Sequence, residues 1–144
     1  MIKDESFGII PFTIENKVVK YLIIHHQKGH WAFPKGHAQA GESNLQTAQR
    51  ELFEETGLKT EKVFIDQPFI ERYVFIDPQG QKINKKVTFF LGEIKDTQVK
   101  IQESELQNFA WVDYQQALDM LTFNQAKHLL KQTHSFLLKH HQLD

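Results

Sequence analysis

Three glutamates on one predicted helix are the residues best spaced for chemistry. Glu51, Glu54 and Glu55 fall at i, i+3 and i+4, so their side chains share one side of an α-helix. Like charges this close raise one another's pKa, and a bound hard cation removes that cost. Magnesium prefers oxygen ligands and keeps coordination sites for substrate phosphates. The cluster therefore predicts either a phosphate-handling metal site or a solvated acidic helix face.

The residues before the glutamates predict a loop that leads into this helix. Gly41 and Glu42 indicate a turn, and Asn44 is the predicted N-cap. Gly57 supplies the permissive backbone expected just past a helix end. We therefore expect the helix to begin after Asn44 and to end before Gly57.

Other side chains of the helix predict how it is held. Arg50 lies four residues before Glu54 and is expected to orient that carboxylate rather than to react. Leu45, Leu52 and Phe53 lie roughly opposite the glutamates, so they form the face predicted to be buried.

The spacing of Gly36, Glu42 and the run RELFEETGL at 50–58 resembles the Nudix hydrolase signature. The resemblance implies an α/β fold, in which a mixed β-sheet is sandwiched between α-helices, and one domain over residues 1–144. It also implies a divalent metal, Mg²⁺ or Mn²⁺. Proteins of this family use the metal and water to hydrolyse a nucleoside diphosphate linked to another group.

The composition limits the function classes. A chain of 144 residues with 40% hydrophobic residues can bury one core. The 17 basic and 18 acidic residues argue against a protein that coats nucleic acid, so we expect a small nucleotide substrate and no stable nucleic-acid complex. The absence of cysteine excludes a thiolate nucleophile or thiolate zinc site. No preference for an oligomeric state follows.

The sequence contains no pattern typical of membrane insertion or export. Its start, MIKDESFGII, lacks a basic flank and a long apolar core, and no run approaches eighteen apolar residues. We therefore expect no membrane association and a cytoplasmic location.

Hydrophobic patterns on both sides of the signature predict the elements that position it. Residues 7–14 and 18–26 predict a hairpin, with Pro11 indicating an edge strand or a bulge. Residues 70–77 and 85–94 predict a second hairpin around the turn at 78–81. The remaining segments predict three elements: a last strand at 109–112, a helix capped by Asp113 and an amphipathic helix at 124–141.

Two groups of basic residues have more than one interpretation. Lys35 and His37 flank Gly36 and either contact a phosphate or stay solvated. Lys82, Lys85 and Lys86 lie beside the second hairpin, where they either bind a polyphosphate or keep an edge strand solvated.

The aromatic residues on the strands offer a surface for a nucleobase. Tyr73, Phe89 and Phe90 are predicted on strands, where most aromatics pack in the core and one that points outward could stack on a purine. Alternation places Phe89 and Phe90 on opposite faces, so one of them is expected to face the site. The spacing does not decide which.

Several segments resemble one subgroup, the asymmetrical diadenosine tetraphosphate hydrolases. These segments are WAFPKGHAQAGE at 31–42, KKVTFFLGEI at 85–94 and the terminal FNQAKHLLKQTHSFL. The resemblance implies cleavage of diadenosine tetraphosphate to ATP and AMP.

The same resemblance assigns roles to individual positions. The implied metal ligands are the carbonyl of Gly36 and the carboxylates of Glu51, Glu54, Glu55 and Glu105. Glu54, Glu51 and Glu105 are the implied catalytic residues, with Glu54 the most sensitive and Glu103 the alternative to Glu105. The implied substrate contacts are Lys35, His37, Tyr73 and Lys85 for phosphates, and Phe89 and Phe123 for a base.

The sequence departs from the subgroup where substrate choice is decided. Gln39 and Ala40 replace Glu and Pro, Phe89 replaces a tyrosine, and Ser104 replaces the histidine of a His-Glu pair. Alternative functions are removal of pyrophosphate from RNA 5′ ends and MutT-like hydrolysis of a nucleoside triphosphate. A nucleotide sensor without activity is the non-enzymatic alternative, although such proteins usually lose signature glutamates that this chain keeps.

Overall fold

The computed structural model describes residues 1–141, the last of them by its backbone alone. Its elements are β1 (Ile2–Glu15), β2 (Val18–His26), β3 (Trp31–Ala32), β4 (Lys35–Gly36), α1 (Asn44–Thr56), β5 (Lys62–Val63), β6 (Phe69–Ile76), β7 (Lys82–Glu93), β8 (Leu106–Val112), α2 (Tyr114–Met120) and α3 (Asn124–His141). None of the helices in this part of the chain has the length and apolar character needed to cross a membrane.

The strands form one mixed sheet of eight. β1 and β7 pair in parallel along eleven residue positions, from Ile2 opposite Ile83 to Phe12 opposite Glu93. The remaining pairs are antiparallel: β2, β3 and β8 continue the sheet beyond β1, β4 pairs with the middle of β1, and β5 and β6 pair with β7. The predicted α/β fold with a mixed sheet is confirmed.

Alternation along β1 gives the sheet two buried faces. Ile9 belongs to a hydrophobic cluster with Leu52 of α1, whereas its neighbour Ile10 belongs to a second cluster with Leu130 of α3. Successive side chains of a strand point to opposite faces, so one strand can anchor a helix on each side. The helices therefore lie on both sides of the sheet, as the sandwich architecture requires.

Both predicted hairpins are present, but the prediction for Pro11 is wrong. Asn16 and Lys17 join β1 to β2 with positive φ values of 51° and 67°, which suits a two-residue hairpin turn. Pro11 lies inside β1 and pairs with Gly92 of β7, so its strand is internal to the sheet. On its other side β1 pairs with β4 only to Gly8 and with β2 only from Phe12. Pro11 falls in this gap, where a missing N–H breaks no ladder.

Two details of α1 differ from the predictions. Ser43, not Asn44, is the N-cap: its side chain accepts from the N–H of Gln46, whose side chain accepts in return from the N–H of Ser43. Phe53, which was predicted to be buried, is 52% exposed and lies beneath the ammonium of Lys59. The buried residues of α1 are instead Thr47, Ala48, Leu52, Glu55 and Thr56.

Candidate active site

The signature glutamates border a cavity of about 620 Å³ between α1, β4 and the loop before β8. The residues that line it are Ser6, His26, Lys35, Gly36, His37, Ala38, Gln39, Arg50, Glu51, Glu54, Glu55, Lys85, Gln102 and Glu105. All five predicted metal positions, Gly36, Glu51, Glu54, Glu55 and Glu105, thus line one cavity.

Gly36 allows the closest of these approaches. A Cβ on this residue would overlap the carboxyl group of Glu51, so no other residue fits without moving that carboxylate. The Gly36 backbone and the Glu51 side chain, from two elements, therefore lie against each other in the wall of the same cavity. Burial raises the pKa of Glu51 against the opposing effect of Arg50.

Arg50 holds the carboxylates together. Its Nε donates to Glu42 Oε2 at 2.7 Å, its Nη1 donates to Glu51 at 3.0 Å and to Glu54 at 3.1 Å, and its Nη2 donates to the carbonyl of His37 at 2.9 Å. The predicted contact with Glu54 is confirmed. The sequence reading missed the stronger partner, Glu42, whose pKa is lowered to about 2 chiefly by the Arg50 hydrogen bond.

Glu55 departs from the picture of a solvated acidic face, because it is only 8% exposed. Its Oε2 is the one buried side-chain oxygen or nitrogen without a hydrogen-bond partner in the described part of the chain. Burial, and then the charges of Glu51 and Glu105, raise its pKa to about 8. A buried carboxylate oxygen with nothing bound to it is a costly arrangement that a cation would relieve.

The oxygen atoms that line the cavity suit a hard divalent cation, although their side chains are not arranged as a complete set of metal ligands. Carboxylate and carbonyl oxygens are the ligands that magnesium prefers, and Glu55 Oε2 is free to bind one. Over residues 1–141 no three acidic or histidine side chains form a preassembled metal set. Arg50 accounts for this, since its guanidinium takes an oxygen of Glu51 and an oxygen of Glu54.

Backbone bonds to the end of α1 position the loop carboxylate. The N–H of Lys100 donates to Thr56 and the N–H of Gln102 donates to Glu55, which fixes the loop against the helix. Glu105 lines the cavity, whereas Glu103 is exposed and does not. Of the two candidates, Glu105 is the one whose position suits the predicted role.

Two predicted phosphate ligands, Lys85 and His37, belong to one hydrogen-bond network around Asp4. Lys85 is 5% exposed, and its Nζ donates to Asp4 at 2.8 Å and to Ser6 at 2.6 Å. His37 Nε2 lies 2.8 Å from the same Asp4 carboxylate. Burial pushes the pKa of Asp4 upward, but Lys85 and His37 outweigh it and hold that pKa below its usual range. Lys82 and Lys86 do not line the cavity.

A second cavity, of about 650 Å³, collects the predicted base-binding residues. Tyr73, Phe89 and Phe123 line it together with Phe33, and Lys35 borders both cavities. The ammonium of Lys35 donates to the Tyr73 hydroxyl at 2.9 Å. A ligand could therefore lie in the aromatic cavity and extend past Lys35 to the carboxylates.

The structure distinguishes the two adjacent phenylalanines. Phe89 lines the aromatic cavity and meets Phe33 edge-on, with ring centroids 6.2 Å apart. Phe90 lies in the cluster beneath α1. Gly8, opposite Phe89 on β1, leaves room for that ring, because a Cβ there would crowd Phe89 and Pro34.

Four residues in or beside these cavities were not predicted: Ser6 and Glu71 line them, Asp4 accepts from Lys85, and Gly8 adjoins Phe89. Asp4, Ser6 and Gly8 lie on β1 and reach the site through its parallel pairing with β7, for which the sequence contains no local signal. Glu71 had a signal, since alternation along β6 places it on the same face as Phe69 and Tyr73.

Comparison with known proteins agrees with this arrangement. The NUDIX domain model matches residues 3–132. The asymmetrical bis(5′-nucleosyl)-tetraphosphatase of Rattus norvegicus is 33% identical over 132 residues, covering 90% of this chain and 87% of the relative. The RNA pyrophosphohydrolase of Pelagibacter ubique is 27% identical and covers 79% of this chain and 78% of its own.

A solved structure supports the fold independently. The Ap4A hydrolase of C. elegans in a binary complex superposes with a TM-score of 0.77 at 23% identity, covering 94% of this chain and 98% of the other. Together with the match over residues 3–132, these similarities show that the chain belongs to the NUDIX domain family and is a Nudix hydrolase.

Proposed function

We propose that this Nudix hydrolase cleaves a dinucleoside polyphosphate, diadenosine tetraphosphate above all, to ATP and AMP by attack of water on phosphorus. The observation that carries the proposal is the pair of cavities joined at Lys35, one lined by carboxylates and the other by aromatic rings. The 33% identity to an asymmetrical bis(5′-nucleosyl)-tetraphosphatase supports the same substrate class.

In this proposal the carboxylate cavity takes Mg²⁺ or Mn²⁺. The Gly36 carbonyl, Glu51, Glu54, Glu55 and Glu105 would hold it, and the unpaired oxygen of Glu55 supports that fit. The chemistry that such a cation supplies when bound is neutralisation of phosphate oxygens and a lowered pKa for water.

The remaining roles belong to side chains of the chain itself. Glu105, on its anchored loop, accepts the proton of the attacking water. Lys35, His37 and Lys85 stabilise charge on the polyphosphate, and Tyr73 positions Lys35 through its hydroxyl. Phe89 and Phe123 hold the base by stacking from two sides of the aromatic cavity.

The direct test is separation of the products formed from diadenosine tetraphosphate and magnesium. We expect ATP and AMP from the wild-type protein, and a loss of about 10²- to 10⁴-fold in turnover for Glu54→Gln and for Glu105→Gln. Glu103→Gln, a change of the same kind just outside the cavity, should retain turnover. Paired ADP as product would contradict the asymmetric cleavage.

The second candidate is removal of pyrophosphate from RNA 5′ ends. It is supported by the similarity to the RNA pyrophosphohydrolase of Pelagibacter ubique. Assays on triphosphorylated RNA and on a nucleoside triphosphate panel separate it, and MutT-like hydrolysis, from the first candidate. Nucleotide binding with no turnover of any substrate would instead favour a sensor.

A further inference from the structure

Glu71 is a buried acid that the proposed reaction does not use. It lies on β6 opposite Val87, between the pair Phe69–Phe89 and the pair Tyr73–Lys85. These residues alternate along their strands and therefore face the same side of the sheet. Glu71 thus lies between the predicted stacking ring and the predicted phosphate ligands, on the wall of the aromatic cavity.

The Glu71 carboxylate has no hydrogen-bond partner among residues 1–141; the residue is only 8% exposed, but its oxygens, unlike Glu55 Oε2, keep some access to solvent at the wall of the aromatic cavity. Burial raises its pKa, and the charges of Lys35 and Lys85 act in the opposite direction. Both ammonium groups are engaged elsewhere, because Lys35 donates to Tyr73 while Lys85 donates to Asp4 and Ser6. The nearby charges therefore do not satisfy the carboxylate oxygens.

When a ligand fills the cavity, the Glu71 carboxylate loses its contact with solvent and then needs a donor from that ligand. A buried polar group without a hydrogen bond costs about 1–3 kcal/mol, and more when it is charged. The cavity has room for a nucleoside, and its other walls are largely aromatic. A hydrogen bond from a bound nucleoside to Glu71 would be both strong and selective, since a ligand without the donor would leave the acid unsatisfied.

We propose that Glu71 recognises the nucleoside of the substrate by accepting a hydrogen bond from an N–H of its base or an O–H of its ribose. The inference rests on the proposed function, because it takes the aromatic cavity as the place where a nucleoside binds. It makes Glu71 a determinant of specificity, alongside rings that stack on any base.

The test is equilibrium binding to the wild-type protein, measured by calorimetry with EDTA present so that turnover does not interfere. The ligands are ATP and three analogues, each lacking one donor: purine riboside 5′-triphosphate, 2′-deoxy-ATP and 3′-deoxy-ATP. We expect one analogue to have a dissociation constant at least about tenfold higher than that of ATP, because it lacks the donor of one charge-assisted hydrogen bond. That analogue identifies the donor as base or ribose. Equal binding of all four ligands, or no binding of ATP, would overturn the assignment.

Variants connect the lost affinity to this side chain. Glu71→Leu should bind ATP and the discriminating analogue equally, and Glu71→Gln, which keeps an oxygen acceptor of similar size, should discriminate by an intermediate factor. Glu5→Leu removes an exposed carboxylate of the same sheet outside both cavities and should discriminate like the wild type. Undiminished discrimination in a folded Glu71→Gln and a folded Glu71→Leu would overturn the proposal.

The two proposals fail in different ways. A wild-type protein that hydrolyses no dinucleoside polyphosphate, but binds one analogue tenfold more weakly than ATP, would refute the proposed substrate and keep the role of Glu71. Hydrolysis of diadenosine tetraphosphate together with equal binding of ATP and all three analogues would support the proposed substrate and refute the role of Glu71.

Discussion

At the scale of single residues, the site is a set of acids balanced by one arginine. Arg50 contacts Glu42, Glu51 and Glu54, so its charge partly offsets theirs. Glu42 anchors it and also accepts from Thr47 and from the N–H of Gln39, which joins the loop to the helix. The Oε2 of Glu55 has no such partner among the described residues. The arrangement keeps the acids close before a cation is present.

The close approach of Gly36 to Glu51 predicts the effect of one added methyl group. In Gly36→Ala the new Cβ would displace the Glu51 carboxylate, and a displacement of about 1 Å in an active site can cost about 10²-fold in rate. We expect a loss of that size in turnover of diadenosine tetraphosphate, with the thermal transition retained. Ala40→Ser, at an exposed position outside the cavity, serves as the control. Wild-type turnover in Gly36→Ala would show that the position of Glu51 is not critical.

At the scale of elements, α1 is fixed at both ends and the catalytic loop is fixed to it. The capping box of Ser43 and Gln46 starts the helix, and Gly57 ends it with a φ of 74°. Lys100 and Gln102 donate to the last carbonyls of the helix, so the loop that carries Glu105 follows the position of α1. A loosened helix start should therefore lower stability without rearranging the cavity.

The correction of the N-cap from Asn44 to Ser43 gives a paired prediction. Ser43→Ala removes the side-chain acceptor of the capping box and should lower the free energy of unfolding by about 1 kcal/mol. Asn44→Ala, one residue later inside the helix, should leave that free energy unchanged or raise it, because alanine is the better helix former. Urea unfolding of the two variants measures the difference, and the reverse order would restore Asn44 as the cap.

In the whole molecule, the parallel pairing of β1 with β7 brings residues near the start of the chain next to predicted substrate-binding residues of β7. It places Asp4 beside Lys85 and Gly8 beside Phe89. β4 pairs with the other edge of β1 and carries Gly36 to the glutamates of α1. One strand thus connects the carboxylate cavity with the aromatic cavity.

A partly buried histidine, His26, makes the stability of the fold depend on pH. Burial, and then His30 and Lys35, lower the pKa of His26 from 6.5 to about 4. Between these values the unfolded chain binds more protons, so this contribution to stability is present above pH 6.5 and is lost as the pH falls toward 4. By itself, His26 therefore lowers the free energy of unfolding at pH 5 relative to pH 7.5, whereas the raised pKa of Glu55 acts in the opposite direction.

The variant His26→Gln should lower the difference obtained by subtracting the free energy of unfolding at pH 5 from that at pH 7.5 by on the order of 1 kcal/mol, after discounting for partial exposure. His128→Gln, at an exposed position on α3, should leave it unchanged. Denaturant unfolding at the two pH values measures both, and an unreduced difference in His26→Gln would assign the pH dependence to other groups.

The sequence by itself determined the helix of the signature, both hairpins and the identity of the acids, because these features depend on spacings of a few residues. It also determined the contact of Arg50 with Glu54, which are one helical turn apart. These predictions rest on helical and strand periodicity and on turn residues, which local sequence expresses directly.

Only the tertiary structure decided which acids are buried and which residues meet across the sheet. Glu54 and Glu55 are adjacent in sequence, yet the first is exposed and the second buried, because Glu55 lies with Ala48 and Leu52 on the face of α1 that packs towards the sheet. Lys85 meets Asp4 across 81 residues of chain. Phe89 rather than Phe90 borders the aromatic cavity. The two rings lie on opposite faces of the sheet, and the face of Phe90 is packed against α1. Such outcomes depend on strand register between distant segments, which no local spacing encodes.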